Sequence, residues 1–229
     1  MTGTAGAPAR RRSSPWRWAW VALPAAAGLF FLMNRYGTQE TRWILWEVRG
    51  DSGRVDWNGA RFAVADSNDL RLAMGRGGEA AMAGDIELDF FQKGFASIQF
   101  APGTRCSITA PPKRLGERAV TMRLDAGHVR VSTGVRFAGA RLTVRTPETQ
   151  IEVEGTTLAV IKAPEGTSVC AYAGEVTMRD ADGTTTVVPV GMRRFLYNDG
   201  RPAAISELAP EERQHLAEFL DLQRDNLHE

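Results

Sequence analysis

Residues 142–179 read LTVRTPETQIEVEGTTLAVIKAPEGTSVCAYAGEVTMR. Leu142 to Arg145 alternates apolar and polar residues, and Ile151 with Val153 repeats the alternation. Gly155-Thr156-Thr157 then leads into residues 158–162. Pro164-Glu165-Gly166 supplies a turn, residues 169–173 the next strand, Ala173-Gly174-Glu175 another turn, and residues 176–178 a further strand. Period-two alternation cut by Gly and Pro is the pattern of half-buried strands. The stretch predicts an all-β domain.

The same grammar runs upstream. Residues 54–57, the dipeptide Asn58-Gly59 and residues 61–64 predict a hairpin, since Asn-Gly suits a two-residue turn with positive φ at both positions. Residues 41–48 (TRWILWEV) read as a first strand or as the continuation of a preceding helix. Residues 66–69 read as a polar loop and 70–74 as a short strand. Strands are expected at 80–91, 95–100, 105–109, 120–124, 127–132 and 135–137. Gly-Thr recurs at strand entries (Gly103-Thr104, Gly155-Thr156, Gly166-Thr167, Gly183-Thr184) at unequal spacing. Gly permits the turn and the β-branched Thr begins the strand. The expected architecture is two packed sheets, as a sandwich or a short solenoid-like coil of hairpins laid side by side.

The termini differ from this body. Residues 1–15 are small, polar and basic. Trp18 to Met33 is an uncharged, mostly apolar run that Trp16 and Arg17 extend, and at 1.5 Å per residue it reaches about the hydrocarbon thickness of a bilayer. Trp16, Trp18, Trp20 and Tyr36 stand where interfacial aromatics are expected, and Arg10, Arg11 and Arg12 predict a cytoplasmic N-terminus. A cleaved signal peptide is the competing reading, with Ala25-Ala26-Ala27 as the cleavage site, but the apolar run continues through Leu29–Met33. The expected organisation is a basic tail (1–15), a transmembrane helix (16–34), juxtamembrane strands (35–69), a β-domain (70–205) and an amphipathic C-terminal helix (206–229). In that helix Pro210 suits the first position, and Glu211 and Glu212 suit the positive end. Leu216, Phe219, Leu220, Gln223 and Leu227 form the stripe predicted to pack on the β-domain, with partner binding as the alternative.

Charge and chemistry-bearing residues narrow the function. The net charge is +1, which carries no bias toward nucleic acid. The histidines, His128, His215 and His228, form no H-x-x-x-H pair, and Cys106 and Cys170 form no C-x-x-C, so no zinc site, cofactor site or catalytic residue is assigned. No G-x-S-x-G elbow is present. The two cysteines could form one disulfide in an oxidising compartment, worth about 4 kcal/mol; two separate buried thiols are the preferred expectation. Trp43, Trp46 and Trp57 read as core packing and membrane-interface anchors, with a sugar-stacking platform as the alternative. The expectation is a non-enzymatic protein.

Arg145-Thr146-Pro147, Ile151, Val153, Gly155-Thr156, Leu158 and Val160, followed by Gly166-Thr167, Val169, Gly174 and Val176, give a series that resembles the core of the FecR domain. Residues 100–108 (FAPGTRCSI), 125–131 (DAGHVRV) and 187–191 (VVPVG) extend the resemblance over about residues 70–200. It implies a single-pass bacterial inner-membrane protein whose β-domain lies in the periplasm and contacts a protein partner. It also implies signal relay to a cytoplasmic sigma factor, but such regulators carry a cytoplasmic helical domain, and only about 15 residues precede the apolar run here. The sequence therefore predicts first an envelope sensory, scaffold or binding module. A reduced sigma-factor regulator is the second reading, and a glycan-binding or carbohydrate-active protein the third.

Overall fold

Alternation of hairpins between two leaves builds this protein. A computed structural model describes residues 41–112 and 118–228; the expected basic tail and membrane helix lie outside them. No helix among the described residues is long and apolar enough to cross a membrane. The strands in chain order are β1 (Ile44–Arg49), β2 (Gly53–Trp57), β3 (Ala60–Ala63), β4 (Gly78–Gly84), β5 (Glu87–Gln92), β6 (Ala96–Phe100), β7 (Arg105–Ile108), β8 (Ala119–Thr133) and β9 (Arg141–Arg145). They continue as β10 (Thr149–Val153), β11 (Thr157–Ala163), β12 (Gly166–Ala173), β13 (Val176–Asp180), β14 (Thr185–Val188), β15 (Met192–Tyr197) and β16 (Ala204–Glu207). Among the described residues two helices, α1 (Ser67–Met74) and α2 (Pro210–His228), interrupt and end the series.

The protein is mostly strand, as the alternation predicts. All sixteen strands join one mixed, unclosed hydrogen-bonded network. It bends into leaf A, in the order β1-β5-β6-β8-β11-β12-β15-β16, and leaf B, in the order β3-β2-β4-β7-β8-β9-β10-β13-β14. Strand β8 belongs to both. Its first half pairs with β7 and, in parallel, with β9; its second half pairs with β6 and β11. The change of leaf falls at a bulge. Arg105 pairs with Ala126 and Cys106 with Leu124, which leaves Asp125 as the extra residue. Gly127 follows at φ +89°, with Thr104 Cα where a Cβ would stand 2.5 Å away. Only glycine fits a left-handed turn against another backbone in this way.

One hydrophobic cluster takes side chains from both leaves: Leu88, Val129, Val160 and Val169 from A, and Leu124, Val144, Ile151 and Met178 from B. Trp43 and Trp57 belong to it, 2 % and 1 % exposed, as core packing predicts. Trp43 meets Phe90 edge-on at 5.5 Å and donates its indole N–H to Thr109 O at 2.9 Å. Polar clasps also tie the leaves. Arg194 of β15 grips Asp180 of β13 with two bonds of 2.8 and 2.7 Å. Glu148, in the β9–β10 turn, receives Thr167 Oγ1 at 2.7 Å and Lys162 Nζ at 3.0 Å.

Some local expectations are corrected. Residues 66–74, expected as loop and strand, form a 3-10 turn and helix α1. The Ala63 N–H donates to Asp66 Oδ2 at 2.9 Å and starts the turn. Leu70 and Met74, one helical turn apart, are then both buried, while Leu72 is exposed. Residues 135–137, expected as a strand, form a turn that takes the C-terminal end of α2. Residues 80–91 break at Gly84 into β4 and β5, and 120–132 fuse into β8. Asn58 and Gly59, at φ 49° and 81°, make the expected hairpin turn.

Candidate functional site

The register of leaf A lines up one row of side chains across its outer face. Glu47, Asp89, Gln99, Arg130, Ala159, Cys170, Arg193 and Ser206 are successive cross-strand partners from β1 to β16. Directly paired residues point to the same side of a sheet. The alternate positions (Leu88, Phe100, Val129, Val131, Leu158, Val160, Val169, Ala171) face the core and are fully buried. The outer row is therefore polar along much of its length, yet a helix lies over part of it.

Helix α2 starts as its sequence predicts. Pro210 is its first residue, and Glu212 accepts from the Ala209 N–H at 3.3 Å while pairing with Arg193 at 3.0 Å. Leu216, Phe219, Gln223 and Leu227 are its buried residues, so the helix packs on its own β-domain through the expected stripe. Leu216 and Leu208 sit with Ala159 and Cys170 in a small apolar cluster separate from the core. Gln223 is held by Ser97, whose hydroxyl donates to Gln223 Oε1 at 2.6 Å. At the far end, the Gly94 and Val135 N–H groups donate to Asn226 O and Leu227 O at 2.7 and 3.1 Å, satisfying carbonyls that a helix end leaves open.

A charged network continues beside the helix. Arg49 bonds Asp89 Oδ2 at 2.5 Å, Gln99 Nε2 donates to Asp89 Oδ1 at 2.8 Å, and Arg130 donates to Gln99 Oε1. Glu87 approaches Arg49 at 3.2 Å and Arg130 at 3.8 Å. Burial pushes the Asp89 carboxyl up to about 6, outweighing the pull of Arg49. Burial pushes His128 down to about 3, and the charges of Arg130 and His215 add to this. Burial also lifts the Cys170 thiol to about 12. His128 is thus a neutral imidazole and Cys170 a protonated thiol at neutral pH.

His128, Arg130, Cys170, His215 and Leu216 line a cavity of about 30 Å³ between leaf A and α2, a volume that suits a single water. His128 Nε2 and Arg130 Nε are buried there without a hydrogen-bond partner among the described residues. Leaving such groups unpaired costs stability. The join between helix and sheet is therefore polar and incompletely satisfied, unlike the core on the other side of the same strands.

The sequence assigned no site residues, and the tertiary structure brings His128, His215 and Cys170 together from residues 42 and 45 positions apart in the chain. His228 is exposed at the end of α2. Cys106 and Cys170 are separate buried thiols, as preferred. Cys106 faces the main core and Cys170 the α2 seat. Among the described residues no three His, Cys, Asp or Glu side chains are placed to hold a metal ion. Polar residues stand at the outward phase of strands 96–100 and 127–132 in the sequence, but nothing local says that a helix starting at Pro210 covers them.

The FecR protein family matches residues 91–177, from the end of β5 to the start of β13. The match includes Gln99, His128, Arg130 and Cys170, while α2 lies outside it. No curated protein sequence matches the chain significantly. Solved structures with similarity include two of a candidate anti-sigma factor from Parabacteroides distasonis, 17 % and 15 % identical, each with a TM-score of 0.42. Each alignment covers 57 % of this chain and 66 % or 65 % of the other, less than two thirds of that protein's length.

Proposed function

Because the chain is a FecR-domain protein, we propose that it is a regulatory module of the bacterial envelope that works through protein contacts rather than catalysis. The FecR domain at residues 91–177 carries this reading. The N-terminal sequence supports its placement: the apolar run Trp18–Met33 behind Arg10–Arg12 anchors the chain in the inner membrane with residues 1–15 in the cytoplasm and the β-domain in the periplasm. The outer face of leaf A supports recognition over chemistry. Its histidine is neutral and its thiol protonated, a poor nucleophile–base couple.

The test has two parts. Protease added to spheroplasts should digest the β-domain while the same protease on intact cells should not; a protected domain in spheroplasts overturns the topology. A photoreactive residue placed at Leu222, exposed on α2, then reports the contact in living cells. A crosslink to a sigma-factor regulator or an outer-membrane receptor supports signalling. Crosslinks only to cell-wall polymer overturn regulation through protein contact and favour the glycan-binding alternative. Deleting residues 1–15 separates relay from scaffold, since only relay to a cytoplasmic sigma factor loses its output while the protein stays anchored.

A further inference from the structure

We propose that the outer apolar edge of leaf A, formed by Ile44 and Trp46, rests on the lipid surface of the membrane that holds the chain. The inference depends on the anchored reading above and specifies which part of the domain meets the bilayer.

The patch is built by a bulge. Leu45 pairs with Phe90 and Glu47 with Asp89, so Trp46 is inserted between them. Leu45 goes to the core, 1 % exposed, while Ile44 and Trp46 turn outward, 45 % and 55 % exposed. The Trp46 ring meets Phe91 at 5.9 Å, and Phe91 is the cross-strand partner of Ile44. Helix α2 packs on β6, where Ser97 is the cross-strand partner of Phe91. Its Gln223 sits on Ser97 of β6, and its last carbonyls bond the turns at Gly94 and Val135. Ile44 and Trp46 of β1 are thus left open, while the outward residues of β5 beside them, Asp89 and Phe91, are 2 % and 7 % exposed.

Two observations select lipid as the occupant. The first is tether length. Residues 35–43 separate the expected membrane span from Ile44, and nine residues extend at most about 30 Å. The tether therefore keeps Ile44 within about 30 Å of the expected span. The second is chemistry. An exposed tryptophan flanked by cationic side chains suits an anionic interface, where the amphipathic ring sits at headgroup level. Arg42 precedes the strand, Arg71 donates to Leu45 O at the open edge of β1 at 3.2 Å, and Lys93 follows Phe91 in the next turn. The neighbouring acids Glu47, Glu87 and Asp89 lie 3.8, 3.2 and 2.5 Å from Arg49.

The experiment uses the full chain in nanodiscs containing phosphatidylglycerol. Trp46→Cys and Ile44→Cys are labelled with an environment-sensitive fluorophore; the native thiols are buried. Leu222→Cys and Val190→Cys, also exposed apolar positions, serve as comparators, and circular dichroism verifies that each chain is folded. Doxyl groups on the lipid should quench the labels at 44 and 46 on the order of threefold more than those at 190 and 222, as an interfacial location requires. Equal quenching at all four positions, with the chain still resistant to carbonate extraction, overturns this inference alone. Release of the chain by carbonate overturns the anchored reading and this inference with it.

Discussion

Two substitutions on leaf A should pull apart a pH dependence that the intact protein conceals. Asp89 titrates near 6 when folded and at 3.8 ordinarily. Between those values the folded protein keeps a proton that the unfolded chain has released, so stability falls as pH rises. His128 titrates near 3 when folded and at 6.5 ordinarily. Between those values the unfolded chain binds a proton that the folded protein refuses, so stability rises with pH. Each effect has a limiting slope of about 1.4 kcal/mol per pH unit, with totals of about 3 kcal/mol for Asp89 and about 5 kcal/mol for His128. The slopes oppose each other from about pH 4 to 6, and there they cancel. Asp89→Asn removes the falling member, and the variant should gain about +1.4 kcal/mol per pH unit relative to the parent across that window. His128→Gln removes the rising member and should change the slope by about the same amount in the other direction. Urea unfolding at pH 4, 5 and 6 measures both, and taking slopes rather than absolute values excludes the constant loss of contacts to Arg49 or Arg130. Profiles parallel to that of the parent would refute the assignment of a protonated Asp89 and a neutral His128 to the folded state.

Other changes test the frame. Gly127→Ala should cost about 1–2 kcal/mol for its left-handed backbone and a further 1–3 kcal/mol for the approach to Thr104. Gly183→Ala, at nearly the same φ in open space, should lose only the first amount in urea titration. Arg194→Met should destabilise by about 3 kcal/mol because it strands the Asp180 carboxylate between the leaves, and adding Asp180→Leu should recover most of that. Phe219→Ala, at a side chain 2 % exposed, should weaken the seat of α2 by about 3 kcal/mol. Hydrogen exchange should then show the Gly94 and Val135 amides losing protection before the strands do.

The elements whose cause is local were legible in the sequence. Alternation over residues 142–178 needs only the two-residue period of a strand. Asn58-Gly59 needs only positive φ at a hairpin turn, and Pro210 with two glutamates needs only the geometry of a helix start. Residues 70–74 show the limit. Leu-Arg-Leu-Ala-Met alternates like a strand, but Leu70 and Met74 also lie one helical turn apart, and the core decided between the periods by burying both. Residues 135–137 carry strand-like residues and form a turn instead, bonded to the end of α2. Gly127 is visible as a glycine, but its role where β8 passes from one leaf to the other depends on Thr104 across the sheet.

The sequence by itself determined the class of fold, the FecR resemblance and the amphipathic stripe of the last helix, because each depends on residues near one another in the chain. The tertiary structure alone decided which outward sheet face is covered. That covering turns His128 and Cys170 from ordinary outward strand positions into groups with displaced titration, while Asp89 is buried beside it under Arg49 and Gln99. It also leaves Ile44 and Trp46 as an open remainder of the same face. Burial, and the shift in charge state that follows from it, is set by an element that arrives from 40 or more residues away, and no local pattern encodes that arrival.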